Sequence, residues 1–384
     1  MKMSRDRILT SHVGSLPRPD DAVALLLKKE RGEPYDSAEF DRVMNQAVAS
    51  VVKKQAEVGF DVVSDGEMSK IGYSTYIKDR YTGFGDEFHV KPHLDLIDYP
   101  EFRKRMAAFN GPPTFKRMCC IGPIEPKDVS LLAKDIENFR AALSAVNVTE
   151  GFINAASPGI VASFLQNKYY PSHEKYIEAL AKALQPEYEA ITKAGFIVQV
   201  DCPDFAMSRH TGYQDLTEGE FIKRIHFNAE MLNAALANVP AEQVRIHICW
   251  GNYEGPHDHD IALEKIMPVI RKVKAKGISF EGANPRHEHE WKIWGEAKLP
   301  DDVVLLPGML DSSTNYVEHP ELVAQRIERL AAVVGRERII ASTDCGFGTF
   351  AGFSKVDAGI AWKKLKSLVD GAAIASKRLW KKAA

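Results

Sequence analysis

Short apolar runs alternate with longer stretches of helical period almost to the end of the chain. The short runs, rich in β-branched residues, predict strands over 8–15, 61–67, 115–121, 151–156, 196–201, 244–250, 278–281, 303–308 and 339–343. Between them the 3.6-residue spacing predicts helices, among them 38–59, 172–195, 219–239, 261–277 and 320–335. Several of these reach a glycine (Gly59, Gly195, Gly277, Gly335), the residue that most readily ends a helix in a left-handed turn. Strands without polar alternation are buried on both faces, and strand–helix repetition makes the sheet parallel. Eight such units in a single α/β (β/α)8 TIM barrel, one catalytic domain over 1–384, fit the length better than two open sheets. Nine candidates exceed eight by one, and 115–121 is the weakest pattern. Residues 71–113 follow no period and are rich in Tyr, Phe, Asp and Pro, which predicts a long insertion after the second strand, over the barrel mouth. No repeat, linker or low-complexity tract divides the chain.

Composition changes this picture little. The 384 residues are 45% hydrophobic and 27% charged, with a formal net charge of −2, so nothing suggests a nucleic-acid or membrane partner. No apolar run approaches the ~18 residues of a membrane span, and the polar opening Met1-Lys-Met-Ser-Arg-Asp-Arg7 has no signal-like core. The basic residues Lys377-Arg378 and Lys381-Lys382 suit the solvated face of a last helix. Cys119, Cys120, Cys202, Cys249 and Cys345 are odd in number and lie mostly inside apolar runs, which suits reduced thiols in the cytoplasm. The expected partners are small molecules, and a homo-oligomer is compatible with the pattern.

Chemistry enters at the strand ends. His12-Val-Gly-Ser15, Asp65-Gly-Glu67, Asp201-Cys-Pro-Asp204, His247-Ile-Cys249, Glu281 and Asp344-Cys-Gly346 all close apolar runs on polar or soft groups. The C-terminal rim of the strands is where α/β barrels keep their reactive groups. At i and i+2 of one strand, His247 and Cys249 face the same side and can reach one ion. With Glu281 and Cys345 they make a donor set suited to zinc, although an isolated H-x-C or a single cysteine is more commonly plain core. A four-coordinate zinc leaves Glu67, Asp201 and Asp65 over; these suit a substrate ammonium, or else pair with Lys70, Lys78 or Arg209. Gly14-Ser15 offers N–H groups and a hydroxyl as a seat for a substrate carboxylate, or simply a turn.

Other candidates compete. The pairs His257/His259 and His287/His289 sit among Gly, Asn, Pro and charged residues and suit solvated loops away from the metal. Cys119 and Cys120 are adjacent on a strand-like run, face opposite ways and suit core. The aromatics of 164–170 either stack on a substrate or pack.

Taken in order, Val13-Gly-Ser15, Asp65-Gly-Glu67, Gln199-Val-Asp201, His247-Ile-Cys249, Glu281 and Asp344-Cys-Gly346 resemble the catalytic barrel of the cobalamin-independent methionine synthase superfamily over nearly the whole chain. The resemblance implies a UROD/methionine-synthase-like barrel with zinc on His247, Cys249, Glu281 and Cys345. It also implies that Ser15 in the Gly14-Ser15 element, Glu67 and Asp201 hold the carboxylate and amine of homocysteine. The opening Ser11-His-Val-Gly-Ser-Leu-Pro-Arg18 is shared with the short single-barrel branch that includes epoxyalkane:coenzyme M transferase. The second barrel of the full-length synthases has no room here. No folate-contacting Arg-Pro-Pro element or tryptophan stands between Phe115 and Tyr170, and Asp311-Ser-Ser-Thr-Asn315 holds no histidine where the family carries its catalytic one.

These readings converge on zinc-dependent alkyl (methyl) transfer to a substrate thiol. A free thiol has a pKa near ~8.5 and is mostly protonated at neutral pH, whereas zinc binding removes the proton. Glu281 is the ligand most easily displaced by sulfur, and with Asp201 it is the catalytic candidate. The retained carboxylates favour homocysteine, and the missing folate element favours a smaller donor than polyglutamyl folate. The alternative is epoxide opening by coenzyme M, with Arg18, Lys70 and Arg209 facing its sulfonate. A metal hydrolase would need H-x-H in the first strand, where only His12 stands, and a non-catalytic zinc protein has no use for the rim carboxylates.

Overall fold

Eight parallel strands occupy eight of the nine predicted positions in the computed structural model, which describes residues 1–88, 91–110 and 116–381. They are Leu9–Thr10, Val62–Ser64, Glu150–Ala156, Ile197–Asp201, Val244–Ile248, Gly277–Phe280, Val304–Pro307 and Ile340–Ala341. The second to seventh form one curled sheet with each strand beside its neighbour in sequence, and the first pairs with the eighth. Parallel bridges Leu305–Ile339 and Gly308–Ser342 join the seventh strand to the eighth. Where the first meets the second, the Asp61 N–H donates to the Thr10 carbonyl at 3.2 Å. The barrel therefore covers its own edges.

The ninth predicted strand is a strand of another sheet. Met118–Cys120 pairs antiparallel with Phe84–Glu87 and parallel with Gln166–Asn167, while Phe115 lies outside the described residues. Cys119 and Cys120 are both buried, as expected of core thiols. The segment after the second strand carries Ile77–Arg80, Phe84–Glu87, Leu94–Asp98 and Pro100–Asn110; its residues 89–90 and 111–113 also fall outside the described set.

Helices follow the predicted stripes at Ser37–Val58, His173–Lys193, Glu218–Ala235 and Pro320–Val334. Asp36 caps the first of these through Ala38 and Glu39, and Thr217 with Glu220 forms a reciprocal capping box on the third. The predicted helix 261–277 is shorter, Leu263–Ile270, because the chain beyond it is bonded elsewhere. Lys274 N–H donates to Asn233 Oδ1 and Lys276 N–H to the carbonyls of Ala241 and Val244, which draws the backbone into the sheet. Gly277 accordingly caps no helix. It opens the sixth strand, where a Cβ would stand 2.6 Å from the Cβ of Arg245. The stripes missed Asp20–Arg31 and Ser130–Ser144, and the basic C-terminal residues end Ala358–Leu379, with Arg378 paired to Glu321 and Glu328 and Lys382 outside the described residues. No helix among the described residues is long and apolar enough to cross a membrane.

Ala358–Leu379 packs on Pro320–Val334 and buries an ion pair between Lys364 and Glu318 at 2.7 Å. Glu318 also accepts the Asp311 N–H at 2.8 Å, so this pair ties the last helix to the loop after the seventh strand. Removing one member leaves the other charge buried and uncompensated. Lys364→Met is therefore expected to lower the unfolding free energy by about 3–5 kcal/mol in a denaturant titration. A change below 1 kcal/mol, on the scale of an exposed pair, would show that the charge is not buried.

Candidate functional site

The end of the fifth strand and the loop after the eighth bring three soft donors together. One ligand atom each from His247, Cys249 and Cys345 lies within 4.8 Å of the others. The two sulfurs are 3.8 Å apart, far beyond a disulfide of ~2.05 Å. Two metal–sulfur bonds of ~2.3 Å at a tetrahedral angle would span ~3.8 Å. Among the described residues neither ring nitrogen of the buried His247 makes an aligned hydrogen bond, and only the Cys345 sulfur draws on it, a deficit that buried polar groups seldom carry. The Cys249 S–H donated to Cys345 holds the Cys345 thiol down to about 6, against burial, and pushes that of Cys249 well up. Burial opposes charge on His247, but Cys345, Asp201 and Glu281 raise its pKa overall. The Gly251 N–H donates to Cys249 Sγ at 3.2 Å. A thiolate, a second thiol and an unsatisfied imidazole fit a borderline-soft divalent ion.

Glu281 stands outside that set. Its Oε1 accepts the Trp250 N–H at 2.8 Å, and its Oε2 accepts Asn284 Nδ2 and Arg286 Nη2, both at 2.7 Å. Burial favours its neutral form, yet Arg286 and His287 keep its pKa below the usual value. Asp344, quoted above only as part of a motif, organises this loop. It accepts the backbone N–H groups of Gly282, Ala283 and Asn284 and the Asn284 amide, all at 2.8 Å.

Ser15, Glu67, Asp201, His247, Cys249 and Cys345 line one cavity of about 980 Å³. Glu67 holds a left-handed φ of 57° in the turn after the second strand, with its N–H bonded to Asp65 Oδ1. Asp65 is thus buried in the turn rather than facing the cavity. Among the described residues Glu67 Oε2 has no hydrogen-bond partner, and burial pushes the Glu67 pKa up to about 8. Among the described residues, Asp201 meets only the side-chain amides of Asn154 and Gln199. Among the described residues no ion pair with Lys70, Lys78 or Arg209 claims either carboxylate. Lys70 donates to the Asn154 carbonyl, Lys78 to Glu30, and Arg18 to the carbonyls of Glu67, Lys70 and Gly348.

Gly14 acts differently from expectation. Its N–H goes to His12 Nδ1 at 3.2 Å, so it is not offered to the cavity. With φ at 141° and a hypothetical Cβ 2.2 Å from Asn154 Oδ1, only glycine lets the chain pass Asn154 and bring Ser15 to the wall. The insertion contributes Tyr73, Phe88 and His93 to the lining. The Tyr73 ring packs with those of Phe164 and Phe350, a cluster of which the residue pattern singled out only Phe164. Of the segment 164–170, Phe164 lines the cavity, Tyr170 stacks on Tyr176, and Tyr169 is exposed.

The H-x-H pairs are not solvated as expected. His257 and His287 are buried, whereas His259 and His289 are exposed. Neither pair joins the His247 set. Each buried histidine has a carboxylate three residues on, Asp260 and Glu290, contacting it at about 3 Å, a spacing too common in polar loops to mark a buried pair.

The model of the family described as cobalamin-independent synthase, catalytic domain, matches residues 128–373. A methionine synthase of Saccharolobus solfataricus is 23% identical over 376 residues, covering 97% of this chain and 96% of that protein. One from Sulfolobus acidocaldarius is 23% identical over 374 residues, covering 97% and 94%. The solved B12-independent methionine synthase of a Shewanella species, in complex with selenomethionine, superposes with a TM-score of 0.73 over 97% of this chain and 99% of that one, at 20% identity. With most of its length matched and its barrel shared, the chain belongs to the cobalamin-independent synthase catalytic-domain family.

Proposed function

We propose that the chain is a zinc-dependent methyltransferase acting on a thiol, with homocysteine as acceptor and a donor other than polyglutamyl folate. The observation that carries the reading is one cavity wall bearing both the His247–Cys249–Cys345 set and two carboxylates free of ion pairs among the described residues. Relatives that are methionine synthases along their whole length support methyl as the group moved.

His247, Cys249 and Cys345 would hold the zinc, which when bound ionises an incoming thiol that free in water is mostly protonated. Glu281, anchored by Trp250, Asn284 and Arg286, leaves that three-donor set a place for a substrate sulfur. Glu67 and Asp201 take the substrate ammonium, and Ser15 receives its carboxylate. Tyr73, Phe164 and Phe350 keep water from the electrophilic carbon. The sulfur gives up its proton to solvent and forms the new S–C bond as the donor's bond to methyl breaks and the donor keeps the electron pair.

The test offers the zinc-loaded protein homocysteine, its analogue without the amine, and coenzyme M. Each is paired with simple S-methyl donors, a methyl-corrinoid and an epoxide, and thioether is read by mass. Methionine formed in preference to the other products is the expected result. Alkylated coenzyme M alone would overturn the acceptor, and no thioether with any pair would overturn the reaction.

A further inference from the structure

Behind Trp250 and Tyr253 lies a second group of ligating side chains that thiol alkylation does not use. His210, His257 and Asp260 each bring a donor atom within 4.8 Å of the others. Asp260 is the hub. Its Oδ1 lies 3.2 Å from His210 Nδ1, and its Oδ2 lies 3.0 Å from both His257 Nδ1 and His287 Nε2.

Counting protons shows what the hub lacks. His257 Nε2 is 3.1 Å from the Tyr253 carbonyl oxygen, which can only accept, so a ring proton sits there. In the neutral ring, Nδ1 then turns a lone pair toward the Asp260 carboxylate, a repulsive pairing unless a cation lies between them. An extra proton on His257 would relieve that contact alone. It would not help His210, which is 1% exposed and whose ring nitrogens make no aligned hydrogen bond among the described residues, although Nδ1 faces Asp260. His210 Nδ1 and Asp260 Oδ1 are close but not aligned as donor and acceptor, as two groups are when both point at a third atom. A metal ion satisfies all three residues at once.

The surrounding charge agrees. Asp95, Asp260, Glu281 and Glu290 gather here, and among the described residues their ion-pair partners are Arg286, on Glu281 and Asp260, and the imidazoles of His210, His257 and His287 around Asp260 and Glu290, so that Arg286 is the one permanent cation of the group. Among the described residues Asp95 accepts from the Tyr253 hydroxyl and the His257 N–H. Buried carboxylates in excess of cations call for a further positive charge.

We propose that His210, His257 and Asp260 bind a second divalent transition ion, separate from the His247–Cys249–Cys345 set. Two imidazoles and a carboxylate suit zinc and its first-row neighbours. The ion clips the loop carrying Met207 and Thr211 to the loop carrying Tyr253. All three of those residues line the cavity, so the ion holds that part of its wall.

Elemental analysis of protein reconstituted with zinc and freed of loose metal tests this. Two ions per chain are expected in the natural protein, and one each in Asp260→Asn, in His210→Gln and in the Cys249→Ser/Cys345→Ser double variant. Cobalt substitution tells the centres apart, because only the cysteine set gives sulfur-to-metal charge-transfer absorption. Asp260→Asn should keep that band at full intensity while total cobalt halves. A single ion in the natural protein accompanied by the full sulfur band, or two in both Asp260→Asn and His210→Gln, overturns the proposal. If Asp260→Asn does not fold, His210→Gln, which removes no charge, and the natural stoichiometry still decide. Loss of the sulfur band from the natural protein would count against the proposed function and leave this site standing.

Discussion

Cys249→Ser and Cys345→Ser should each lose the thiolate-bound ion and reduce thioether formation to background. The two sulfurs sit 3.8 Å apart with an unpartnered imidazole beside them. Among the described residues, no other ligating group lies within 4.8 Å of all three donor atoms to replace a lost sulfur. A serine hydroxyl at this depth stays protonated and is a poor ligand for a borderline-soft ion. Structural zinc sites bind with about 10–16 kcal/mol spread over their ligands. Losing one thiolate of three donors therefore weakens binding by ~10²–10⁴-fold, at 1.4 kcal/mol per decade. Metal analysis and thioether yield check this together. Full occupancy of the thiolate centre in both variants would remove these cysteines from the ligand set.

Glu67→Gln should raise the KM for homocysteine by ~10–100-fold, the loss of a charged hydrogen bond, and leave a thiol without the amine unchanged. The sign with pH follows from burial. With its pKa pushed up to about 8, Glu67 is mostly neutral in the empty cavity at pH 7, and an arriving ammonium favours its ionised form. Affinity for the amino-acid thiol should rise as pH climbs toward 8, and the glutamine variant should lose that slope. Stability moves the other way. Between the ordinary carboxylate pKa and about 8 the folded protein holds a proton that the unfolded chain has released, so this group costs stability as pH rises through that window. The ligand-free variant should therefore melt no lower than the natural protein at pH 8. Equal losses with both thiols would mean that Glu67 does not read an amine.

Much of the barrel was legible because its strands are buried on both faces, so each is a short unbroken apolar run that needs no partner to be seen. The soft and charged strand ends were legible for the same reason, since each interrupts such a run. His257 and His287 were not, because their neighbours in sequence are polar and their burial comes from Trp250, Tyr253 and Asp260 folding over them. The hydrogen bonds that hold Glu281 were hidden too, since Trp250 and Arg286 reach it from different loops.

Local pattern by itself determined the order and type of the barrel elements and which residues end each strand, because periodicity and strand-end polarity are properties of neighbouring residues. Only the tertiary structure decided which of those ends meet. Barrel closure sets Cys345 beside Cys249 across 96 residues of chain, holds Glu281 on the Trp250 N–H of another loop, and turns the Gly14 N–H to His12 where the chain passes Asn154. Such convergence depends on distances between segments remote in sequence, which no local spacing encodes.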